Sequence, residues 1–406
     1  MNIKKILVVI LFFLAILFLG FALYWVFFRT STITTSNDNF TPGNIPDIPN
    51  SNITVINSNA NTNTALPWQQ YVGGKVSPIA NGGLTEVTKV VDSKVNGTTK
   101  GNQGVQFYDA EKQQFFRIND QGQIVALSDK KFYGVESVSW NNNGEKAIIE
   151  YPDGNNILYN FRTNEQVTLP IELEDFSLNK QGSQIVAKWM GDTEDNNWLV
   201  AANDDGSQLS LLEPLGDKSY STQMIFSPDN QVAALHTKYV DAQRQEVFPI
   251  GFKGENLKSF EVAGGGFTAE WSPQGNSLLY SVYSENTNYN PNLWITKGRT
   301  GELGDVKVSL NVPTWPDKCT FADESTLYCA VPQGLPRGAG IYPEIAYQYP
   351  DNFYRVDLNS GVKTLLASPV GADGSYSASN LFTSADGSLL YFVDNNTGRL
   401  QTIRLK

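Results

Sequence analysis

The sequence is poor in the residues that metal sites and catalytic triads need. It holds one histidine and two cysteines among 406 residues, which is too few for the usual zinc ligand sets. A Ser-His-Asp triad would have to use His236, but no Gly-x-Ser-x-Gly nucleophile turn occurs in the chain. We therefore interpret His236 as a structural histidine, and we expect no metal, no cofactor and no catalytic residue.

Positive charge and long amphipathic helices are also scarce. Lysine and arginine total 30 against 41 acidic residues, which gives a net charge of −11 and argues against a nucleic-acid partner. Aromatic residues make up 12% of the chain, and there are 34 glycines. This composition favours an all-β fold of many short strands joined by tight turns.

One long apolar run lies near the start of the chain. Residues 6–28 read ILVVILFFLAILFLGFALYWVFF, and about 23 helical residues span about 34 Å, enough to cross a bilayer core. A cleaved signal peptide is the alternative, but its apolar stretch is normally shorter and ends in small residues. Because this run ends in Tyr24, Trp25, Phe27 and Phe28, we predict an uncleaved, single-pass transmembrane helix.

The residues that flank this run predict its orientation in the cell membrane. Lys4 and Lys5 precede it and only Arg29 follows it closely, so we expect residues 1–5 in the cytoplasm and the remainder outside. Residues 29–66 are dominated by Ser, Thr, Asn and Pro and lack hydrophobic periodicity. We predict that this segment is a flexible, disordered linker.

A short phrase recurs through the rest of the chain. Each copy contains a polar turn, and a strand of alternating residues follows it. The six copies are Trp140–Gly144, Leu178–Gly182, Phe226–Asn230, Trp271–Gly275, Phe321–Ser325 and Thr383–Gly387. An earlier unit lacks the phrase but has four strand patterns, of which we predict LTEVTKVV at residues 84–91 to be the first. Seven units of four strands result.

Four-stranded units at this spacing predict a seven-bladed β-propeller of antiparallel blades over residues 67–406. A pair of β-sandwiches would not explain one phrase repeated at a fixed phase. The phrases FSPDN at Phe226–Asn230 and WSPQG at Trp271–Gly275 resemble the repeats of WD-repeat-like propellers of the bacterial periplasm, the TolB type. The Pro-Asp pair of that pattern is complete only at Pro228 and Asp229. The resemblance implies an extracytoplasmic interaction domain, without a particular partner.

Acidic residues are candidates for a site in the central channel, which the first strand of each blade should line. The positions four residues before the phrases are Glu136, Glu174, Thr222, Phe267, Asp317 and Ser379. Among these, Glu136, Glu174 and Asp317, with the adjacent Asp175, could hold a cation or a cationic ligand through their oxygens. A solvated channel with salt-bridged acids, for example to Lys318, is the simpler interpretation, and acid–base catalysis is a third.

A long insertion joins the second and third strands of the sixth blade, at residues 331–352. Long loops are often functional, and Tyr and Arg are favoured anchors of interfaces, so we predict binding through Arg337, Tyr342, Tyr347 and Tyr349. A solvated, family-specific decoration without a binding role is the alternative. The corresponding loops of the blades before it should emerge on the same face, namely 190–197, 239–246 and 284–292.

Two further predictions concern a disulfide in the sixth blade and the strand that closes the ring. Cys319 and Cys329 should lie opposite each other on neighbouring strands, a geometry that suits a disulfide in an oxidising compartment; two buried thiols are the alternative. The seventh blade has only three predicted strands, one before its phrase and two after it. We therefore predict that residues 75–79 pair antiparallel with residues 399–405 and supply the fourth strand.

Two classes of function are compatible with these patterns. The first is a membrane-tethered, non-catalytic module at the bacterial cell envelope, which binds or scaffolds an unidentified envelope protein or ligand. The alternative is a carbohydrate-acting hydrolase or lyase that uses the channel carboxylates. An enzyme should concentrate perturbed carboxyl groups in the channel, whereas a binding module should expose an apolar patch on its loops.

Overall fold

The computed structural model describes residues 75–406, except for positions 103, 120, 254 and 256. The predicted cytoplasmic segment 1–5, transmembrane helix 6–28 and linker 29–66 all lie outside the described residues. Within the described part of the chain, none of the helices has the length and apolarity that spanning a membrane requires.

The described residues form seven sheets, each with a meander of antiparallel strands, and the predicted seven-bladed propeller of four-stranded blades is confirmed. Two strands precede the first blade: Gly83–Glu86 (β1) and Thr88–Lys89 (β2). Blade 1 contains Val95–Gly101 (β3), Gly104–Asp109 (β4), Gln114–Ile118 (β5) and Ile124–Ala126 (β6). Blade 2 contains Ser137–Trp140 (β7), Lys146–Glu150 (β8), Asn156–Asn160 (β9) and Glu165–Leu169 (β10).

The remaining blades follow in chain order. Blade 3 contains Leu173–Leu178 (β11), Gln184–Trp189 (β12), Trp198–Asn203 (β13) and Ser210–Pro214 (β14). Blade 4 contains Thr222–Met224 (β15), Val232–Asp241 (β16), Arg244–Gly251 (β17) and Phe260–Val262 (β18). Blade 5 contains Gly265–Trp271 (β19), Ser277–Tyr283 (β20), Pro291–Lys297 (β21) and Lys307–Ser309 (β22).

The last two blades receive strands from both ends of the described chain. Blade 6 contains Cys319–Asp323 (β23), Thr326–Pro332 (β24), Asp351–Asp357 (β25) and Lys363–Val370 (β26), and blade 7 contains Ala378–Thr383 (β27), Leu389–Asp394 (β28) and Arg399–Arg404 (β29). Short 3-10 helices in the described loops are Glu194–Asn196, Gly216–Ser221, Glu285–Thr287, Pro316–Lys318 and Pro343–Gln348.

The repeated phrase forms the hairpin between the innermost strand and the second strand of a blade. In blade 5 the Gly275 amide donates to the Ser272 carbonyl at 2.9 Å, which closes a turn of four residues. The Ser272 hydroxyl accepts from the Ser277 amide at 3.0 Å, so the side chain satisfies the next backbone donor. Gly275 has a φ of +73°, a conformation that glycine adopts at low cost.

Apolar clusters between neighbouring blades hold the ring together. Ile148 and Leu158 of blade 2 pack against Leu173 and Ile185 of blade 3, and all four are buried. The alternating pattern of the strands places one face toward each neighbour. Burial of each such side chain contributes about 1.5–3 kcal/mol, so the interfaces between blades carry much of the stability.

The ring is closed by the N-terminal side of the described chain, but the predicted segment was wrong. β2 pairs antiparallel with β29, with Thr88 opposite Thr402 and Lys89 opposite Gln401, and it forms the outer strand of blade 7. The predicted strand at residues 75–79 does not pair with 399–405. It contributes only an isolated bridge, between Ser77 and Thr85.

The first blade also begins later than predicted. Residues 84–91 do not form its innermost strand, because they divide between β1 and β2 in the last two blades. β1 adds to blade 6 as a fifth strand, parallel to β26, with Gly83 opposite Ala367. The innermost strand of blade 1 is β3, whose sequence VNGTTKG lacks the apolar alternation that usually reveals a strand.

Candidate functional site in the central channel and on the loop face

The central channel encloses a cavity of about 1100 Å³. Its wall includes residues of innermost strands, such as Thr98 of blade 1 and Glu270 of blade 5, together with the hairpin turns that follow them. The 3-10 helix Pro343–Gln348 adds Tyr347 to the wall. The predicted insertion therefore contributes to the channel as well as to the outer surface.

Two carboxyl groups of blades 5 and 6 meet in this cavity. Glu270 and Asp317 both line it. Burial, followed by the negative charge of Asp317, raises the pKa of Glu270 to about 8. Burial also raises the pKa of Asp317, although Lys318 and nearby backbone N–H groups oppose this effect. Glu270 is partly exposed and Asp317 is exposed to the cavity. Water in the cavity therefore weakens the effect of burial on the two pKa values, most for Asp317.

The predicted partner Lys318 is committed elsewhere. Its Nζ lies 2.8 Å from Asp351 Oδ2 and donates to the Ala378 carbonyl at 2.6 Å. The Ala378 amide donates to the same Asp351 oxygen at 2.6 Å. This buried network joins blade 6 to blade 7, and it leaves Asp317 without an ion pair among the described residues.

The other predicted acids form a separate group that does not line the cavity. Glu136, Glu174 and Asp175 are exposed, and Asp175 Oδ2 lies 2.5 Å from Lys188 Nζ. Burial raises the pKa of Glu150 on β8, and the charges of Asp175, Glu136 and Glu174 add to this rise. The structure therefore gathers these acids at blades 2 and 3, apart from the Glu270–Asp317 pair.

Three predicted channel positions have structural contacts instead. Thr222 Oγ1 lies 2.9 Å from His236 Nδ1, which gives the histidine a hydrogen-bond partner. The Phe267 ring packs 5.5 Å from that of Tyr280. Ser379 Oγ donates to Asn395 Oδ1 at 2.7 Å.

The environment of His236 fits the structural role that we expected for it. Its half-buried ring lies beside that of Phe248. Burial lowers the pKa of His236, and the charges of Lys218 and Lys238 lower it further. The ring is therefore neutral at pH 7.

The insertion of blade 6 docks against a loop of blade 5. The Gly338 amide donates to the Asn288 carbonyl at 2.9 Å, and the Gly340 amide donates to the Tyr289 carbonyl at 2.8 Å. Two backbone bonds between loops of different blades fix the position of the insertion. Its aromatic side chains are consequently presented from a supported backbone.

Exposed aromatic side chains accompany this docked insertion. Tyr342 is 63% exposed and Tyr347 is 47% exposed, while Tyr239 of blade 4 is 53% exposed. The Arg337 guanidinium lies 5.3 Å from the ring centre of Tyr289, a cation–π distance. We call Arg337, Tyr342, Tyr347 and Tyr239 the loop face; the fourth predicted residue of the insertion, Tyr349, is half-buried.

Contacts between tyrosines continue the loop face across blades 4 and 5. The hydroxyl groups of Tyr239 and Tyr283 lie 3.4 Å apart, and the rings of Tyr283 and Tyr289 lie 6.4 Å apart. Burial, with the neighbouring Tyr239, raises the pKa of Tyr283 to about 12. The loop face is therefore rich in aromatic side chains, and Glu344 lies close enough to Tyr347 for its charge to help raise the pKa of that tyrosine.

Cys319 and Cys329 form a disulfide in the structure, with their Cα atoms 4.0 Å apart. The two residues face each other in the β23–β24 register, and both are buried. The turn of this hairpin lies midway between the two cysteines in the sequence. The register of β23 and β24 therefore places them directly opposite each other.

Glu270 is a cavity residue that the sequence did not single out. Counting four positions back from Trp271 selected Phe267, whereas Glu270 directly precedes Trp271 at the end of β19. An acidic residue next to the phrase, in a strand that lines the channel, was the available signal. The fixed count missed it because Glu270 is only one residue from Trp271, in the regular part of the strand opposite Leu279.

Two examples illustrate the solved structures that are similar to this chain. An oligogalacturonate lyase in complex with manganese is 13% identical with a TM-score of 0.54, and the match covers 79% of this chain and 93% of that one. The β-propeller domain of Cps50 (Swd1) from Myceliophteria thermophila is 10% identical with a TM-score of 0.52, and the match covers 79% of this chain and 100% of that one. No family model and no curated protein matches the sequence. At these identities the likeness establishes the fold, in agreement with the WD-repeat-like, TolB-type resemblance of the repeats.

Proposed function

We propose that this chain is a non-catalytic binding or scaffolding module of the bacterial cell envelope. Residues 6–28 tether it to the cytoplasmic membrane, and the propeller receives a partner protein on its loop face outside the cytoplasm. The observation that carries the proposal is the docked insertion, which presents Tyr342, Tyr347 and Arg337 beside Tyr239.

The composition of the loop face supports protein binding. Tyr and Arg dominate the energetic hot spots of protein interfaces, since they combine large contact areas with directed polar groups. A backbone that is already ordered loses little conformational freedom on binding. The two bonds from Gly338 and Gly340 to blade 5 supply that order.

The disulfide supports the proposed location. Structural disulfides persist in oxidising compartments and are rare in the cytosol of most organisms. The bond between Cys319 and Cys329 therefore agrees with the orientation that Lys4 and Lys5 predict. Protease added to intact spheroplasts should remove the propeller, and protection of its C-terminal part would contradict this topology.

Capture from native membranes tests the binding function. The variant R337A/Y342A/Y347A should lose its crosslinked partner and keep its melting temperature, because exposed side chains contribute little to stability. The matched control is R162A/V362A, which truncates two exposed side chains in the loops at the opposite end of the blades. Capture that survives in the triple variant, or that is lost in the control, would contradict the proposal.

The enzyme alternative is favoured by one observation, the Glu270–Asp317 pair. A Glu270 carboxyl with a pKa of about 8 and the neighbouring Asp317 can divide the acid and base roles of glycoside chemistry. Release of reducing ends or unsaturated products from an acidic polysaccharide, by the native chain but not by E270Q, would establish this second function.

A further inference from the structure

The wedge between blades 5 and 6 holds a separate cavity of about 280 Å³. Lys363 closes one side of it, where its Nζ donates to the Asn311 carbonyl at 2.5 Å. The apolar part of the wall includes Val312, Pro313, Val331, Pro332 and Tyr354. None of these residues belongs to the loop face or lines the central channel. The cavity is therefore distinct from both sites described above.

An apolar strip leads from this cavity to the outer edge of blade 6. Tyr354 packs in the cluster shared with blade 5, and Leu365 lies opposite it in the register of β25 and β26. Gly83 of β1 pairs with Ala367, which is buried in the cluster toward blade 7. Since successive side chains of a strand point to opposite faces, the next residue, Leu84, faces blade 5. Both leucines are half-buried, so the strip is partly open to solvent.

Blade 5 supplies the opposite wall. Val308 of β22 is 50% exposed. It lies opposite Ile295, which packs in the cluster shared with blade 6. Side chains that are opposite each other in a ladder share one face of the sheet, so Val308 also points into the wedge. We call the cavity, the strip and Val308 together the rim groove.

One buried acceptor in the cavity wall has no partner. Asn352 lines the cavity, and its Oδ1 is buried without a hydrogen-bond donor among the described residues. A buried acceptor that lacks a donor destabilises the protein. An occupant that brings both apolar surface and one N–H or O–H group therefore fits this cavity, and the indole of tryptophan combines the two.

The described chain begins beside the rim groove. The Ser77 amide donates to the Leu84 carbonyl and the Glu86 amide donates to the Ser77 carbonyl, each at 2.9 Å. Ser77 therefore lies on the outer side of β1, about three strand spacings, or roughly 14 Å, from β25. Residues 67–72 come shortly before it and read PWQQYV. From position 68 to position 77, an extended chain reaches roughly 30 Å, about twice the distance to the cavity.

We propose that residues 67–72 occupy the rim groove, with the Trp68 ring in the cavity and its Nε1–H donating to Asn352 Oδ1. Tyr71 and Val72 then cover the apolar strip, and no residue of this segment carries a charge. A volume of about 280 Å³ is below the usual range of small-molecule sites and suits one large side chain. This docking anchors the tether at the outer edge of blade 6. It is independent of the partner proposed for the loop face, since the two surfaces share no residue.

Photo-crosslinking on the full chain in detergent tests the proposal, with benzoylphenylalanine at position 68. Mass spectrometry of tryptic peptides should locate an adduct on the residues of β24 or β25 that line the cavity. V308D should lower the adduct yield at least about tenfold, because it places a charge in the apolar groove. The matched control is L211D, which adds the same charge at a 54% exposed position on the outer strand of blade 3. Its yield should stay within about twofold of the native chain, since exposed substitutions rarely disturb the fold.

Two further controls identify the occupant. Mixed isotopically labelled and unlabelled chains distinguish an adduct within one chain from an adduct between two chains. Benzoylphenylalanine at Ala60, in the polar segment, should give no adduct on the cavity wall. An adduct between chains, an adduct elsewhere on the propeller, no adduct from position 68, or the native yield in V308D would overturn the proposal.

Discussion

At the scale of single residues, the Cys319–Cys329 disulfide closes the first hairpin of blade 6. Reduction of the Cys319–Cys329 disulfide should lower the free energy of unfolding by about 3 kcal/mol, because a loop of roughly ten residues is freed in the unfolded chain. Denaturant titrations with and without reductant measure the difference. The C319A/C329A variant is the control and should not respond to reductant; equal unfolding midpoints for the oxidised and reduced native chain would contradict the prediction.

Glu270 should give the stability a distinct pH dependence. Its folded pKa of about 8 lies above the ordinary value of 4.5, so the folded state binds the proton more tightly than the unfolded state does. This contribution to stability is complete below about pH 4.5 and is lost as the pH rises through 8. Urea unfolding at pH 5, 7 and 9 should show the native chain losing stability relative to E270Q. A difference that stays constant with pH would rule this out.

At the scale of elements, local sequence patterns predicted the hairpins correctly. The strand pairing between residues distant in the sequence was predicted in the wrong place. The hairpin phrase is a local signal, since Ser272 and Gly275 close their turn without help from the rest of the chain. The closing strand was predicted in the wrong place, at residues 75–79, because β2 is two residues long and polar. β3 was missed since its glycines and threonines resemble a loop. Glu270 was missed because a fixed count of four residues does not reach a position directly beside the phrase.

The contact between the insertion and blade 5 depends on Gly340. Its backbone angles are ordinary, but the absence of a side chain leaves room for the close approach. A Cβ atom on Gly340 would lie 2.6 Å from Tyr283 Cβ and 2.8 Å from the Tyr289 carbonyl oxygen. G340A should therefore release the insertion from blade 5 and speed tryptic cleavage after the exposed Arg337, with little change in melting temperature. Mass spectrometry of the fragments identifies the cut.

The control for that experiment lies in the same insertion. Gln333 is exposed and uses only its backbone amide, which donates to the Pro350 carbonyl at 2.9 Å. Q333A should be cleaved at the native rate. Equal cleavage of G340A and the native chain would mean that the contacts with blade 5 do not order the insertion.

At the scale of the whole molecule, stability depends on closure of the ring. Val87 is buried in a cluster with residues of blades 6 and 7, and Val91 is buried in a cluster with residues of blades 1 and 7. β2 also covers the edge of β29. A chain that starts at residue 92 should unfold at lower denaturant and with lower cooperativity than one that starts at residue 75, because an open sheet edge and two apolar clusters become exposed. Identical unfolding curves would show that these strands do not lock the ring.

The central claim is that one end of the propeller, the loop face, holds the partner. Site-specific photo-crosslinking in native membranes tests it directly, with the reactive group at Tyr342 in one variant and at Ala385 in another. Ala385 is exposed in the hairpin turn of blade 7, at the opposite end of the channel. We expect a discrete protein adduct from position 342 and none from position 385. The same adduct from position 385, or no adduct from position 342, would contradict the account.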